Sequence, residues 1–129
     1  MNIQNLAYAL DQSIHNLGAV MVTGGSILAL VDLEKRKRLA WITLSGWALQ
    51  GATGALFGIL SYSFYGHLPD IAGIAVDALV IKMICAVSGF FIAAYCLKGA
   101  RAESVVFWRM EAFLALVAII SAAFLRWYS

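Results

Sequence analysis

The chain has 129 residues, of which 63% are hydrophobic and only 12% are charged, and its formal net charge is +2. A soluble domain carries about 25% charged residues, so this composition, with a mean hydropathy of +0.86, excludes an ordinary soluble domain. It predicts an integral membrane protein in contact with the lipid bilayer. The small net charge gives no support to a nucleic-acid partner.

Four hydrophobic segments follow one another along the chain, and each is long enough to cross a hydrocarbon core of about 30 Å. We place the corresponding helices at about 7–31, 40–63, 73–97 and 105–127. The connections between them are short, so consecutive helices must be antiparallel neighbours. The sequence therefore predicts a single transmembrane domain over residues 1–129, an all-α four-helix bundle with up-down-up-down connectivity.

Lysine and arginine residues are concentrated in the first and third connections. Four consecutive basic residues begin at Lys35 and three more surround the third connection, whereas the second connection has none. The positive-inside rule places such basic loops in the cytoplasm. We therefore expect loops 32–39 and 98–104 to be cytoplasmic and both termini to lie outside, in the inner (plasma) membrane of a bacterium.

The first hydrophobic segment carries an acidic residue and a histidine one helical turn apart. Asp11 lies four residues before His15, so its carboxylate can hydrogen-bond the imidazole or set its tautomer. His15 is the one histidine expected within a span, and an ionisable residue there is a functional-site hypothesis by default. His67, in the second connection, could fold back from the outer side as a further metal ligand.

The second and third segments carry polar residues among small ones. Gln50 stands in a row of glycines spaced four apart, where it is either an interhelical hydrogen-bond partner or a ligand contact. Lys82 stands among alanines, so we expect it to face the bundle interior at a depth similar to that of His15. Asp11 or Asp77 could then neutralise the charge of Lys82.

Two interpretations of these polar residues are open. One is a buried network of ion pairs and hydrogen bonds that fixes the register of the helices. The other is a binding site toward the outer face, in which His15 coordinates haem iron or copper and Lys82 holds a propionate or another anionic group. Glu111, near the cytoplasmic end of the fourth segment, is expected at the membrane interface instead.

Two stretches resemble signatures of one membrane family. The stretch 14–25 resembles the first-helix signature of the copper resistance protein D superfamily, in which a histidine after an apolar residue, here His15, is followed by a Gly-Gly pair. The stretch 77–87 resembles a later helix of the same superfamily, Leu-x-x-Lys-Leu-x-Leu-Val, with Lys82 as its lysine. The bacterial membrane protoporphyrinogen oxidase family, with four helices and a histidine and a lysine proposed as essential, belongs to this neighbourhood.

The resemblance implies His15 as a haem or copper ligand and Lys82 as its functional companion. We predict a small membrane protein that binds haem b, or acts beside a redox cofactor, in electron transfer or haem metabolism. The sequence leaves open whether it is an enzyme. The candidate cofactor-binding residues are His15, Lys82, Asp11 and Gln50, and the candidate metal ligands are His15 and His67.

Two other functions fit the same sequence. The chain is alternatively a non-catalytic accessory subunit of a larger, respiratory-type membrane complex, with a second copy of itself or other membrane subunits as partners. The second alternative is a copper or small-ion permeation protein. Its pathway would use His15, Met21, Met83 and Asp11.

Overall fold

The computed structural model describes residues 2–129, which form four long α-helices and no β-strand. The helices are α1 (Ile3–Val31), α2 (Arg36–Tyr65), α3 (Ile74–Cys96) and α4 (Val105–Tyr128), with a short 3-10 helix at Gly99–Glu103 before α4. The all-α four-helix prediction is therefore confirmed. Met1, which the predicted domain includes, lies outside the described residues.

Both α1 and α2 begin four residues before the start that the apolar runs predict. Asn2 caps α1, since its Oδ1 accepts the backbone N–H of Gln4 at 3.0 Å, which satisfies one of the free donors of the first turn. α2 begins within the basic run, because lysine and arginine are good helix formers and hydropathy marks only the part suited to lipid. At its other end, Gly66 closes α2 with a left-handed φ of 75°, as glycine commonly does.

Each helix packs against its neighbours in the chain. The most extensive interfaces join α1 to α2 and α3 to α4, and smaller ones join α2 to α3 and α1 to α4. This order is the one that short connections predict for an up-down-up-down bundle. The interior is built of small residues around two large aromatic ones, Trp47 and Trp108, both almost fully buried.

The outward faces of the helices are apolar, as a lipid-facing surface requires. Val20, Ile84, Phe113 and Leu116 are typical of the large hydrophobic residues exposed there. By length and composition, three helices, α1, α3 and α4, can cross a membrane. α2 is the fourth predicted segment and is long enough at 30 residues, but its glycine, serine, threonine and glutamine residues lower its hydropathy below that of the other three.

Glycine permits a close backbone contact between α1 and α2. A methyl group on Gly46 would lie 2.9 Å from the backbone oxygen of Gly18 and 2.9 Å from the backbone nitrogen of Val22, so the two helices would have to separate. Gly54 belongs to the same predicted row, yet nothing lies within 4 Å of a methyl group built there. Helix packing therefore explains only part of the row.

Arg36 joins the last turn of α1 to the third connection at one end of the bundle. The side chain is buried in the first turn of α2. Its Nε donates to the oxygen of Ala29 at 2.7 Å and its Nη1 donates to the oxygen of Glu103. The adjacent ion pair of Lys35 with Asp32 measures 2.7 Å, and this hydrogen bond holds the pKa of Asp32 below its usual value. We call this end, with its two basic connections, the basic end and the opposite one the terminal end.

Candidate functional site

The two ring nitrogens of His15 contact different helices. Thr53 of α2 donates its only hydroxyl hydrogen to the oxygen of Leu49 at 2.6 Å, so its Oγ1 accepts the N–H of His15 Nδ1 at 2.7 Å. Nζ of Lys82, from α3, lies 2.8 Å from Nε2 of the same ring. His15 is therefore protonated on Nδ1, and its Nε2 accepts a hydrogen bond from Lys82.

The contact of Lys82 with His15 crosses the bundle diagonally, from α3 to α1. Both side chains are partly buried, and they meet in the half of the bundle toward the terminal end. The expectations that Lys82 faces the interior and stands at the depth of His15 are thus confirmed.

Asp11 does not hydrogen-bond the His15 ring, contrary to the prediction from their spacing. The two ring nitrogens point across the bundle to α2 and α3, and neither turns back along α1. Asp11 is nevertheless buried, and its Oδ1 has no hydrogen-bond partner. The expected ion pair of Lys82 with Asp11 or Asp77 is also wrong, because the one salt bridge within residues 2–129 lies in the first connection and Asp77 is exposed.

Gln50 is an interhelical hydrogen-bond partner, the first of the two roles that the sequence left open. It is buried on α2, and its Nε2 donates to the backbone oxygen of His15 on α1. One turn of α2 thus holds His15 twice, through its backbone by Gln50 and through its ring by Thr53. This double contact fixes the position of the imidazole within the bundle.

His67 stays in the α2–α3 connection, where it is exposed. Its Nδ1 lies 2.8 Å from the oxygen of Leu68, and its ring centroid lies 6.1 Å from that of Tyr65. These contacts are local, and none of them brings His67 to His15. Within residues 2–129, no three histidine, cysteine or acidic side chains are grouped as metal ligands would be. Met83, on the predicted copper pathway, is 58% exposed on the outward face of α3.

A second polar contact crosses the bundle nearer the basic end, from α2 to α4. Glu111 is fully buried, and its Oε2 accepts the indole N–H of Trp47 at 2.7 Å. Glu111, predicted near the membrane interface, is thus enclosed by the helices and not exposed on the surface of the bundle. It shares the buried face of α4 with Trp108 and Ala115, which lie three residues before it and four after it, so helix geometry turns all three inward.

Thr53 and Trp47 were not among the predicted site residues, although the sequence carries a signal for both. They lie three residues after and three residues before Gln50, and this spacing places all three on one face of a helix. A search for polar residues at helical spacing around Gln50 would have found them.

Comparison of the chain with protein-family models, with curated proteins and with solved structures finds no match. We therefore base the proposed function on the polar contacts inside the bundle, two of which cross it diagonally. The contact of His15 with Lys82 lies toward the terminal end, and that of Trp47 with Glu111 lies toward the basic end.

Proposed function

We propose that this protein binds a haem b through His15, in electron transfer or haem metabolism within a membrane. The observation that carries the proposal is the tautomer of His15. Because Nδ1–H donates to Thr53, Nε2 carries the lone pair of the ring, and a metal can bind there once Lys82 moves away. Metal-ligating histidines usually donate their other ring N–H to an oxygen in this way, which fixes the ring and raises its basicity. The resemblance of stretch 14–25 to a haem- or copper-binding signature favours the same role.

Lys82 is the residue that must move for His15 to bind iron, since its Nζ lies 2.8 Å from Nε2. Its flexible four-carbon stem lets the ammonium group leave the ring and remain at the same depth. There it would pair with a haem propionate, while Gln50 and Thr53 keep the imidazole in place. The haem supplies one-electron chemistry when bound, and the chain supplies the ligand and the local polarity.

The visible spectrum tests this proposal directly. We expect the dithionite-reduced minus oxidised spectrum of protein purified in mild detergent to show the α-band of b-type haem, and His15→Ala to abolish it. His67→Ala is the matched control and should retain the band, because that ring is exposed and bonded locally. Thr53→Val should weaken haem binding by about 10–100-fold through loss of the Nδ1 partner.

Two outcomes would contradict the proposal. A flat wild-type spectrum at good protein yield would overturn haem binding by this chain. A band that survives His15→Ala would show that another residue is the iron ligand.

The proposal includes an orientation in which all four helices cross the inner membrane of a bacterium, with the basic end in the cytoplasm. α2 extends from the basic end to the terminal end, and its neighbours α1 and α3 cover the same distance in the opposite direction. A membrane-impermeant maleimide should label His67→Cys in intact cells and Lys98→Cys only after lysis, since the native cysteines are buried. The reverse labelling pattern would invert the orientation.

A second candidate is a non-catalytic subunit of a larger membrane complex, and the outward face of α2 favours it. Gly51, Gly54 and Ala55 are exposed there, and nothing lies within 4 Å of a methyl group built on either glycine. Such a face lets a helix of another subunit approach closely. This candidate predicts that the wild-type protein lacks a chromophore and purifies with defined membrane partners, so the same preparation separates the two functions.

A further inference from the structure

We propose that Glu111 is a protonated acid and that it binds a water molecule shared with Thr43, inside the half of the bundle near the basic end. The proposal is independent of haem binding. It starts from two fully buried polar atoms, Oε1 of Glu111 and Oγ1 of Thr43, which have no hydrogen-bond partner among the described residues. Buried polar atoms are rarely left unpaired, and an internal water is a common partner.

The surroundings of Glu111 favour the neutral acid. The donor to its Oε2 is the uncharged indole of Trp47, and no lysine, arginine or histidine forms an ion pair with it within residues 2–129. The nearby Cys96 thiol of α3 brings no positive charge, and the buried guanidinium group of Arg36 is bonded to two backbone oxygens. At the depth of Glu111, the buried residues of α1 are glycine, serine and alanine, and none of them carries a charge. A fully buried carboxylate without a cation is strongly disfavoured.

Within residues 2–129, Thr43 carries the one fully buried side-chain hydroxyl that has no hydrogen-bond partner. Four other hydroxyl side chains of these helices donate to the backbone oxygen four residues earlier; they are Ser13, Ser26, Thr53 and Ser63. Thr43 makes no such bond, although it is fully buried. Its hydroxyl lies so close to α1 that a methyl group on Gly25 would overlap it. The Thr43 hydroxyl is therefore free to bond a further group inside the bundle.

Thr43 and Glu111 stand at the same depth. α2 and α4 both run from the basic end, and these residues follow the helix starts by seven and six positions, which is about 9–11 Å along the axis. Trp47, one turn beyond Thr43 on the same face, already reaches Glu111 across the bundle. A water between them completes the network, because the acid O–H donates to the water and the water donates to Thr43 Oγ1.

Infrared spectroscopy of the protein in detergent at neutral pH tests both parts of the proposal. We expect the C=O stretch of a protonated carboxyl group in the wild type and its loss in Glu111→Gln. Trp47→Phe should raise the C=O stretching frequency of Glu111, because the carbonyl oxygen loses its hydrogen-bond donor. Thr43→Val should shift the band as the water loses its partner, whereas Ser26→Ala should leave it in place, because that buried hydroxyl already bonds Val22.

The outcomes are separable. Carboxylate bands in place of the protonated band in the wild-type minus Glu111→Gln difference would overturn the protonated acid. A band equally unmoved in Thr43→Val and Ser26→Ala would overturn the shared water. Should Glu111→Gln fail to fold, as judged by circular dichroism, the comparison of Thr43→Val with Ser26→Ala still tests the shared water. The experiment observes a carboxyl vibration, so a haem-free protein gives the same result. The proposal for Glu111 and the proposal of haem binding can therefore fail independently.

Discussion

Trp47→Ala is expected to lower the free energy of unfolding by about 3–5 kcal/mol. Trp47 is only 2% exposed and lies in the main apolar cluster with Val22 and Cys85. Its indole packs directly on Gly89 of α3, where a methyl group would overlap the ring. Removal of the ring opens a cavity in contact with several helices. It also leaves Oε2 of Glu111 buried without its donor, and an unsatisfied buried polar atom costs about 1–3 kcal/mol.

The matched control for Trp47 is Trp41 of the same helix. Trp41 is 57% exposed, so Trp41→Ala should change stability by about 0.5 kcal/mol or less. Both variants are compared by loss of helical circular dichroism during titration with a denaturing detergent. Equal midpoints for the two variants would show that Trp47 does not hold the bundle together.

His15→Ala is expected to destabilise the haem-free protein by about 1.5–3 kcal/mol, the range for a hydrogen bond to a charged group. The loss arises less from the imidazole than from Lys82, whose ammonium group keeps no partner within the apolar bundle. Lys82→Met replaces the cation by an apolar side chain of similar length, a change that is often neutral or stabilising at a buried site. The double variant should therefore be more stable than His15→Ala alone.

A double-mutant cycle of His15→Ala and Lys82→Met measures this coupling, with Ile14→Ala as control. Ile14 is the adjacent residue and is 43% exposed, so its replacement should add independently to Lys82→Met. Additivity of the His15 and Lys82 variants as well, within about 0.5 kcal/mol, would mean that the contact contributes nothing to the fold.

The helices and their order could be predicted from sequence, because hydropathy and short connections constrain both strongly. The inward direction of Lys82 was also predictable, since its neighbours at helical spacing are small residues. Sequence spacing could not decide which way the His15 ring turns. A spacing of four residues puts Asp11 on the correct face of α1, but the ring bonds to residues supplied by α2 and α3.

Glu111 shows a second limit of prediction from sequence. Its closeness in the chain to Arg109 and Trp108 gave its depth along α4, whereas the rotation of α4 about its own axis turns it into the interior of the bundle. That rotation depends on how α4 packs against its neighbours, and no single segment contains this information. The same holds for Arg36, which lies in a basic run but is buried through hydrogen bonds to the last turn of α1 and to the third connection.

The two diagonal contacts also bear on the biogenesis of the protein. Each joins the N-terminal hairpin, α1 with α2, to the C-terminal hairpin, α3 with α4. Lys82 and Glu111 both belong to the hairpin that is synthesised second, and their partners, His15 and Trp47, belong to the one synthesised first. The late hairpin thus brings in Lys82 and Glu111, two ionisable groups that lipid tolerates poorly when unpaired, after their partners His15 and Trp47 have been synthesised. Insertion from the N-terminus onward therefore shortens the time for which either group meets lipid unpaired.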